Sequence, residues 1–178
     1  MADMPLVTLK TERLTLVPHH PSHSDAYAAF WAKDPGHFLR SIAPMRSDEA
    51  WTRLLKYFGH WTAFGYGPFL GFDNTGTLVL EAGFAMFHRG VGEKFDTDPE
   101  AMWKVDIDAQ GWGIAREAML AITNWFDARA ISPRSVCMID PDNLASIRVA
   151  ERLGFAQFER ATYRDDEVIL FERTTPKA

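Results

Sequence analysis

The chain has 178 residues, of which 47% are apolar, and its formal net charge is −5. This composition excludes an intrinsically disordered protein, and the negative charge argues against broad nucleic-acid binding, which needs a basic surface. Cys137 is the only cysteine, so the chain forms no internal disulfide framework and no cysteine zinc site. The N-terminus lacks the apolar run of a signal peptide, and no stretch is apolar for long enough to span a membrane. We therefore expect one cytoplasmic domain over 1–178.

The first third of the chain predicts one strand and two helices. Alternation of polar and apolar residues favours a strand over 13–18. Ser22 or Ser24 can cap the first helix, and Ser47 or Asp48 can cap the second. On the second helix, large apolar side chains recur at three- and four-residue steps, which favours a buried face over a binding stripe. These side chains are Trp51, Leu54, Leu55, Phe58 and Trp61.

The remainder of the chain predicts strands and helices with much antiparallel pairing. Two strands on either side of a turn at Asn74-Thr75-Gly76 lead into a polar loop, and a strand over 100–107 comes next. A helix to about Arg129, a strand and a short helix closed by Gly154 follow. Two strands about an acidic turn end the chain. This order indicates an α/β fold.

Two glycines, Gly111 and Gly113, stand immediately before a predicted helix in the segment QGWGIA. The first N–H groups of a helix have no partner inside it, and together with the helix dipole they attract anions, above all phosphate. Glycine removes the side chains that would hold an anion away, and it permits unusual backbone angles. Taken alone, the segment is also compatible with an ordinary turn, because it matches neither the dinucleotide fingerprint nor a Walker loop.

A second segment, DPDNLASIRVAERLGF over 140–155, supplies the other half of the pattern that begins with QGWGIA. Together the two segments resemble the acyl-CoA site of the GCN5-related N-acetyltransferase (GNAT) superfamily. In that family Gln/Arg-x-x-Gly-x-Gly/Ala precedes the central helix, and Gln110, Gly113 and Ala115 match. The next helix starts with Asn-x-x-Ser and ends near Glu-x-Leu-Gly-Phe. The matching residues there are Asn143, Ser146, Glu151, Leu153, Gly154 and Phe155.

The front of the chain agrees with this resemblance. The stretch LKTERLTLVP is similar to the Thr-Glu-Arg-Leu-x-Leu opening of the branch that contains the ribosomal-protein-serine/alanine N-acetyltransferases, the RimJ/RimL-like proteins. Glu100 and Trp103 match that branch's Glu-x-x-Trp strand. The resemblance runs from about Leu9 to Phe171. It implies the GNAT fold, a mixed and mostly antiparallel twisted sheet of about seven strands that splays at the acetyl-CoA site, with flanking helices.

The resemblance implies transfer of an acetyl group from acetyl-CoA to a primary amine, with no metal. Backbone N–H groups from Gly111 to Ala115 would hold the pyrophosphate, and the pantetheine arm would pair with the free edge of the strand near Val105. The N–H near Val105 would polarise the thioester carbonyl. The expected coenzyme-binding residues are Val105, Gln110, Gly111, Trp112, Gly113, Ile114, Ala115, Asn143 and Ser146. Asn143 is also a natural helix cap.

The transfer also needs a base and an acid. An α-amino group titrates at about 8 and a lysine at about 10.4, so a carboxylate must accept a proton at neutral pH. Glu100, Asp106 and Glu81 are the candidates, and Glu100 matches the motif; its alternative is a strand-end carboxylate in solvent. Many family members protonate the thiolate with a tyrosine, but Ala150 stands at that position here. Ser146 or a water molecule remains as the candidate proton donor to the thiolate.

Other side chains invite different chemistry. Cys137 lies within a predicted strand, where a buried, inert thiol is the more common arrangement. His19, His20 and His23 cluster, but we expect a surface turn rather than a metal site. The alternating carboxylates of the polar loop over 89–99 lack the EF-hand pattern, so we expect them to be solvated.

Three functions stay open at this level. The acceptor of the acetyl group is a protein N-terminal α-amine or a small amine such as an antibiotic, a polyamine or an amino acid; a closed pocket lined by Trp31, Trp51 or Trp61 would favour the small amine. The missing tyrosine also allows a catalytically weak module that only binds acetyl-CoA. We expect no nucleic-acid or membrane partner, and either a monomer or a homodimer.

Overall fold

A computed structural model describes residues 7–33 and 44–176. Eight strands form one sheet in the order β1-β2-β3-β4-β5-β6-β8-β7. The strands are β1 Leu9–Lys10, β2 Leu14–Pro18, β3 Pro68–Asp73, β4 Leu78–Ala85, β5 Glu100–Val105, β6 Arg134–Ile139, β7 Ala156–Tyr163 and β8 Asp166–Thr174. The helices are α1 Ser24–Ala32, α2 Ser47–Phe64, α3 Glu93–Asp96, α4 Ile114–Ala128 and α5 Leu144–Arg152.

The sheet is split between β5 and β6. Strands β1 to β5 pair antiparallel with their sequence neighbours, and β6, β8 and β7 form a second antiparallel group. The two groups meet in parallel at a single residue pair, Glu100 with Val136, although each of the two strands has six residues. The predicted mixed, splayed sheet is confirmed. It has one strand more than expected, because Leu9–Lys10 pairs with β2.

Two larger apolar clusters cover the two faces of the sheet, and a third, of four buried residues, packs α3 against β6 and β8. Successive strand residues point to opposite faces, so Phe69 joins one cluster and its neighbour Leu70 joins the other. The larger cluster packs α4 and α5 against the sheet, with Ala118, Ile122 and Ala150 fully buried. The smaller of these two packs α1 and the first half of α2 against the opposite face.

The starts of the first two helices differ from prediction. A single 3₁₀ turn, Pro21–His23, precedes α1, and the His20 ring accepts from the Ser22 N–H. Ser24 is already helical, so neither predicted serine is the cap of α1. At α2 the Glu49 carboxylate accepts from the Arg46 N–H at 2.8 Å, which makes Arg46 the N-cap in place of the predicted Ser47 or Asp48.

The buried face of α2 is rotated from the predicted stripe. Leu54 and Trp61 are buried as expected, but Trp51 is 43% and Leu55 39% exposed. Ala50 and Tyr57 take their places in the interior. The prediction for Trp51 and Leu55 is therefore wrong, because several spacings of large side chains suit a helical face and the sheet selects one of them.

His19 is fully buried, so its assignment to a surface turn is wrong. Its Nε2 atom lies 2.7 Å from Glu81 Oε1, and the Tyr27 hydroxyl donates to the same oxygen at 2.6 Å. The Arg53 guanidinium pairs with the other oxygen at 3.0 Å. Burial alone would raise the pKa of Glu81, but Arg53 and the His19 and Tyr27 hydrogen bonds outweigh it and hold the pKa near 2.

Most of the polar loop is at least partly exposed, as expected, but its two aspartates are half-buried and have partners within the protein. It contains α3, and Asp96 accepts from the Gly90 and Gly92 N–H groups at 3.0 and 2.7 Å. Asp98 pairs with Arg134 on β6. Within residues 7–33 and 44–176, no three histidine, cysteine or carboxylate side chains gather as metal ligands would. No helix in the same ranges is long and apolar enough to cross a membrane.

Replacing Glu81 by glutamine should destabilise the fold by about 3 kcal/mol at neutral pH. This is the lower end for breaking a buried pair, because the Arg53 side chain is 21% exposed. The folded pKa of Glu81, about 2, lies below the usual 4.5, so its contribution is present above pH ~4.5 and fades as pH falls towards 2. Urea unfolding at pH 7 and pH 3 should show a smaller difference between wild type and Glu81→Gln at pH 3. Asp48→Asn, in an exposed pair with Arg46, is the control and should cost under about 1 kcal/mol; equal losses from both variants would contradict the burial argument.

Candidate active site

The loop between β5 and α4 leaves open space in front of a helix end. Gly111 and Gly113 have φ angles of +81° and +78°, a conformation that side-chain-bearing residues rarely adopt. A Cβ at Gly111 would meet nothing within 4 Å, and one at Gly113 would meet only Arg13 Nη2 at 3.8 Å. The loop therefore exposes bare backbone.

The first turn of α4 presents unsatisfied N–H groups to that space. Its N-cap is Gly113, which has no side chain to cap the helix. The first bond within the helix runs from the Glu117 N–H to the Gly113 carbonyl at 3.0 Å. The N–H groups of 114–116 thus have no intrahelical acceptor, and no other acceptor for them lies among the described residues. This end of α4 is built to bind an anion.

A clamp from the N-terminal hairpin holds the helix end in place. The Glu117 carboxylate accepts from the Thr11 hydroxyl at 2.5 Å, the Arg13 N–H at 2.9 Å and Arg13 Nε at 2.7 Å. Arg13 Nη1 also donates to the Trp112 carbonyl at 2.7 Å. Glu117 was not identified from the sequence as a functional residue. The Thr-Glu-Arg motif was identified, and it contains the two partners of Glu117. The motif thus holds the glycine loop before α4 in position and leaves the space in front of its N–H groups open.

The free edge of β5 runs from the split towards this loop. The Asp106 N–H donates to the Val79 carbonyl on β4 at 2.9 Å, so by strand alternation the Val105 N–H and carbonyl point the other way, into the split. The Gln110 side chain donates to that Val105 carbonyl at 3.2 Å. Val105 therefore lies where a polar extended chain could add as a strand.

The opposite wall of the split is the start of α5. The Asn143 side chain accepts from the Ser146 N–H at 3.0 Å, as a helix cap does. The Trp103 indole N–H of β5 donates to Ser146 Oγ at 3.1 Å and joins the two walls. The Ser146 hydroxyl keeps its own proton to donate. Ala150, at the position expected for a tyrosine in the family pattern, is fully buried in the core.

Glu100 begins β5 at the point where the split closes. It is 4% exposed, so the alternative of a carboxylate in solvent is wrong. Arg89 binds both carboxylate oxygens at 2.8 Å, and it donates to the Tyr163 hydroxyl at 3.4 Å. Burial raises the pKa of Glu100, and Arg89 only partly opposes that rise.

The other candidate groups are engaged elsewhere. Glu81 has all its hydrogen bonds within the buried cluster of His19, Tyr27 and Arg53. Asp106 pairs with Lys33 at 2.8 Å and caps a 3₁₀ turn through the Asp108 N–H. Cys137 is buried, and burial raises the pKa of its thiol well above the usual value, which disfavours a nucleophilic thiolate.

A polar concavity of about 490 Å³ opens to solvent beside the Arg89–Glu100 pair; Arg89 lines it and Glu100 does not. The sequence did not single it out, because three segments far apart in the chain form it: α2, the chain after β4 and the β7–β8 turn. Trp31 and Trp61 are buried in the cores and do not line it. Its lining residues are Lys56, Phe87, His88, Arg89, Gly90, Thr162, Tyr163 and Arg164.

Comparisons with known proteins agree on one family. The family model of the acetyltransferase (GNAT) domain matches residues 13–156. A protein described as a GnaT-family acetyltransferase from Bordetella pertussis is 35% identical and superimposes with a TM-score of 0.88, over 94% of this chain and 99% of that one. No curated protein is significantly similar in sequence.

Two further solved structures share the fold at lower identity. Ribosomal-protein-S5-alanine acetyltransferase from Vibrio fischeri has a TM-score of 0.76 at 19% identity, over 96% of this chain and 98% of that one. The ribosomal L7/L12 α-N-protein acetyltransferase RimL, solved with coenzyme A, has a TM-score of 0.78 at 18% identity, over 94% and 98%. With a split sheet, a bare helix end at the split and a family model over most of its length, this chain belongs to the GNAT acetyltransferases.

Proposed function

We propose that the protein transfers an acetyl group from acetyl-CoA to the α-amine at the N-terminus of a peptide or protein. The observation that carries this acceptor is the open polar groove beside Glu100, at the closed end of the split. A closed pocket lined by Trp31, Trp51 or Trp61 would have favoured a small amine, but Trp31 and Trp61 are buried and the exposed Trp51 does not line the groove. The fold shared with RimL supports the same acceptor class.

The described residues fit acetyl-CoA. The N–H groups from Gly111 to Ala115 are proposed to bind the diphosphate, since nothing fills the space in front of them. The Val105 edge is proposed to pair with the amide-bearing arm of the coenzyme. Asn143 and Ser146 would border that arm on the opposite wall, with Asn143 also serving as the helix cap.

In the proposed reaction, the neutral amine attacks the thioester carbonyl, a C–N bond forms and the C–S bond breaks. The Val105 N–H stabilises the negative charge that develops on the carbonyl oxygen. Glu100 takes the amine proton through a chain of water molecules, because Arg89 binds both its oxygens and roughly 16 Å of extended strand separates it from Val105. Its burial favours proton uptake. The Ser146 hydroxyl donates a hydrogen bond to the departing thiolate, in place of the tyrosine that Ala150 replaces.

Thermal-shift and thiol-release assays test this proposal. Acetyl-CoA should raise the melting temperature, and peptides with a free N-terminus should release thiol while N-terminally blocked copies do not. Release only with polyamines, aminoglycosides or free amino acids would move the assignment to a small amine. Stabilisation without release from any amine would indicate a binding module, and no stabilisation by coenzyme A would overturn the site itself.

Gly113→Glu should weaken coenzyme A binding by at least about a hundredfold, because it places bulk and negative charge where the diphosphate should lie. Isothermal titration calorimetry measures the affinity. Gly65→Glu is the matched control, since Gly65 at the end of α2 also has positive φ, +71°, and open space around it. Both variants should strain the backbone to a similar extent, so loss of coenzyme A binding in Gly113→Glu alone would support the site. Unchanged affinity of Gly113→Glu for coenzyme A would count against it.

Glu100→Gln should lower kcat about a hundredfold while the affinity for coenzyme A stays near the wild-type value, because the amide cannot accept the amine proton. The wild-type rate should rise with pH through the raised pKa of Glu100, and the variant should lack that limb. Glu172→Gln, which removes a strand carboxylate paired with Arg134 at 2.8 Å, is the control. Equal turnover of Glu100→Gln and wild type would remove Glu100 from the mechanism.

Ser146→Ala should lower kcat about tenfold if the hydroxyl assists the leaving thiolate. Trp103→Phe removes the 3.1 Å bond into Ser146 and leaves the hydroxyl in place, so it should cost less. Steady-state kinetics and circular dichroism on both variants separate the two effects. Equal losses in the two variants would show that Ser146 serves only to hold Trp103.

A further inference from the structure

The groove beside Glu100 is lined by cations in a chain that is acidic overall. Lys56, Arg89 and Arg164 border it, whereas the formal net charge of the chain is −5. They come from α2, from the chain after β4 and from the β7–β8 turn. The three positive charges are thus gathered by the fold and not by a basic stretch of sequence.

Two of these cations lack a carboxylate partner among the described residues. Arg89 is held by Glu100, but no carboxylate of the described ranges lies within 4.0 Å of the Lys56 ammonium or the Arg164 guanidinium. Lys56 lies over the Phe87 ring at 5.2 Å and the Tyr57 ring at 5.5 Å. Its pKa is lowered by desolvation and by the positive charges of Arg53 and Arg89, so an added anion would relieve this crowding.

The rim of the groove also holds backbone in a rare conformation. His88 and Arg164 have φ angles of +49° and +51° without being glycine, and Gly90 has +76°. At Arg164 the angle belongs, with +70° at Asp165, to the two-residue turn that joins the paired residues Tyr163 and Asp166, so the hairpin holds Arg164 at the rim. The negative groups at this rim are Asp96, which binds the Gly90 and Gly92 N–H groups, and the exposed Asp165.

We propose that the acceptor carries a carboxylate close behind its reactive amine, and that Lys56 and Arg164 bind it. This inference rests on the proposed acetyl transfer to a peptide N-terminus and names the acceptor as an acidic one. The amine faces Glu100 while the acidic side chain of a following residue lies against the two cations. The carboxylate also competes for Arg89, which ties recognition of the acceptor to the state of Glu100.

The test compares peptides that differ by one group. Each has a free N-terminus and glutamate at the second, third or fourth position, and its partner has glutamine there. At low salt the best glutamate peptide should show about a fivefold higher kcat/KM, which is the upper end for one partly exposed ion pair. A free amino acid and a peptide with phosphoserine at the same position show whether a backbone carboxylate or a phosphate is bound in its place.

The double substitution Lys56→Gln with Arg164→Gln should bring the ratio of kcat/KM for the glutamate and glutamine peptides within about twofold. This ratio is the readout because Lys56 also lowers the pKa of Glu100, so the rate with both peptides can change. Arg160→Gln is the control, because Arg160 lies on the same hairpin but pairs with Glu167. Glutamate and glutamine peptides with equal kcat/KM, or a preference that survives the double substitution, would overturn the inference alone. If coenzyme A binds but no peptide is acetylated, the proposed peptide acceptor is overturned instead. A preference for phosphoserine or the free amino acid over glutamate would overturn the acidic-peptide acceptor.

Discussion

The separation of β5 from β6 after one residue pair is the constraint on which the site depends. A parallel pair normally satisfies its backbone groups along the whole ladder, so strands that part leave one edge unsatisfied. Burial of Glu100 and Val136 fixes the closed end, and the turn into α4 fixes the open end. The protein thereby keeps a strand edge available without exposing it on the outside of the sheet.

Three devices hold the walls of the split apart and in register. The Trp103–Ser146 hydrogen bond joins β5 to α5, the Asn143 cap fixes the first turn of α5, and the Arg89–Glu100 pair anchors the closed end. The hydrogen bonds of all three are partly buried, so a lost partner costs more than it would at the surface. The groups assigned to the proposed site are therefore also part of what stabilises this region.

Much of the fold and the anion loop could be predicted from the sequence, because both have local signals. Gly111 and Gly113 stand before a helix, and Asn143 and Ser146 have cap spacing, so one segment suffices in each case. The buried state of His19 could not be predicted, since it depends on Glu81 sixty-two positions away. The cationic groove was missed for the same reason: only the tertiary fold brings Lys56 near Arg164.

Glu117 affects the sign of the electrostatic field at the loop between β5 and α4. A carboxylate in the first turn of a helix stabilises the helix itself, but it would repel a second anion at the same end. Here Thr11 and Arg13 take up its oxygens, and the guanidinium adds a positive charge. Thr11 and Arg13, two residues near the start of the chain, thus set the sign of the charge at this helix end, on which the proposed diphosphate binding depends.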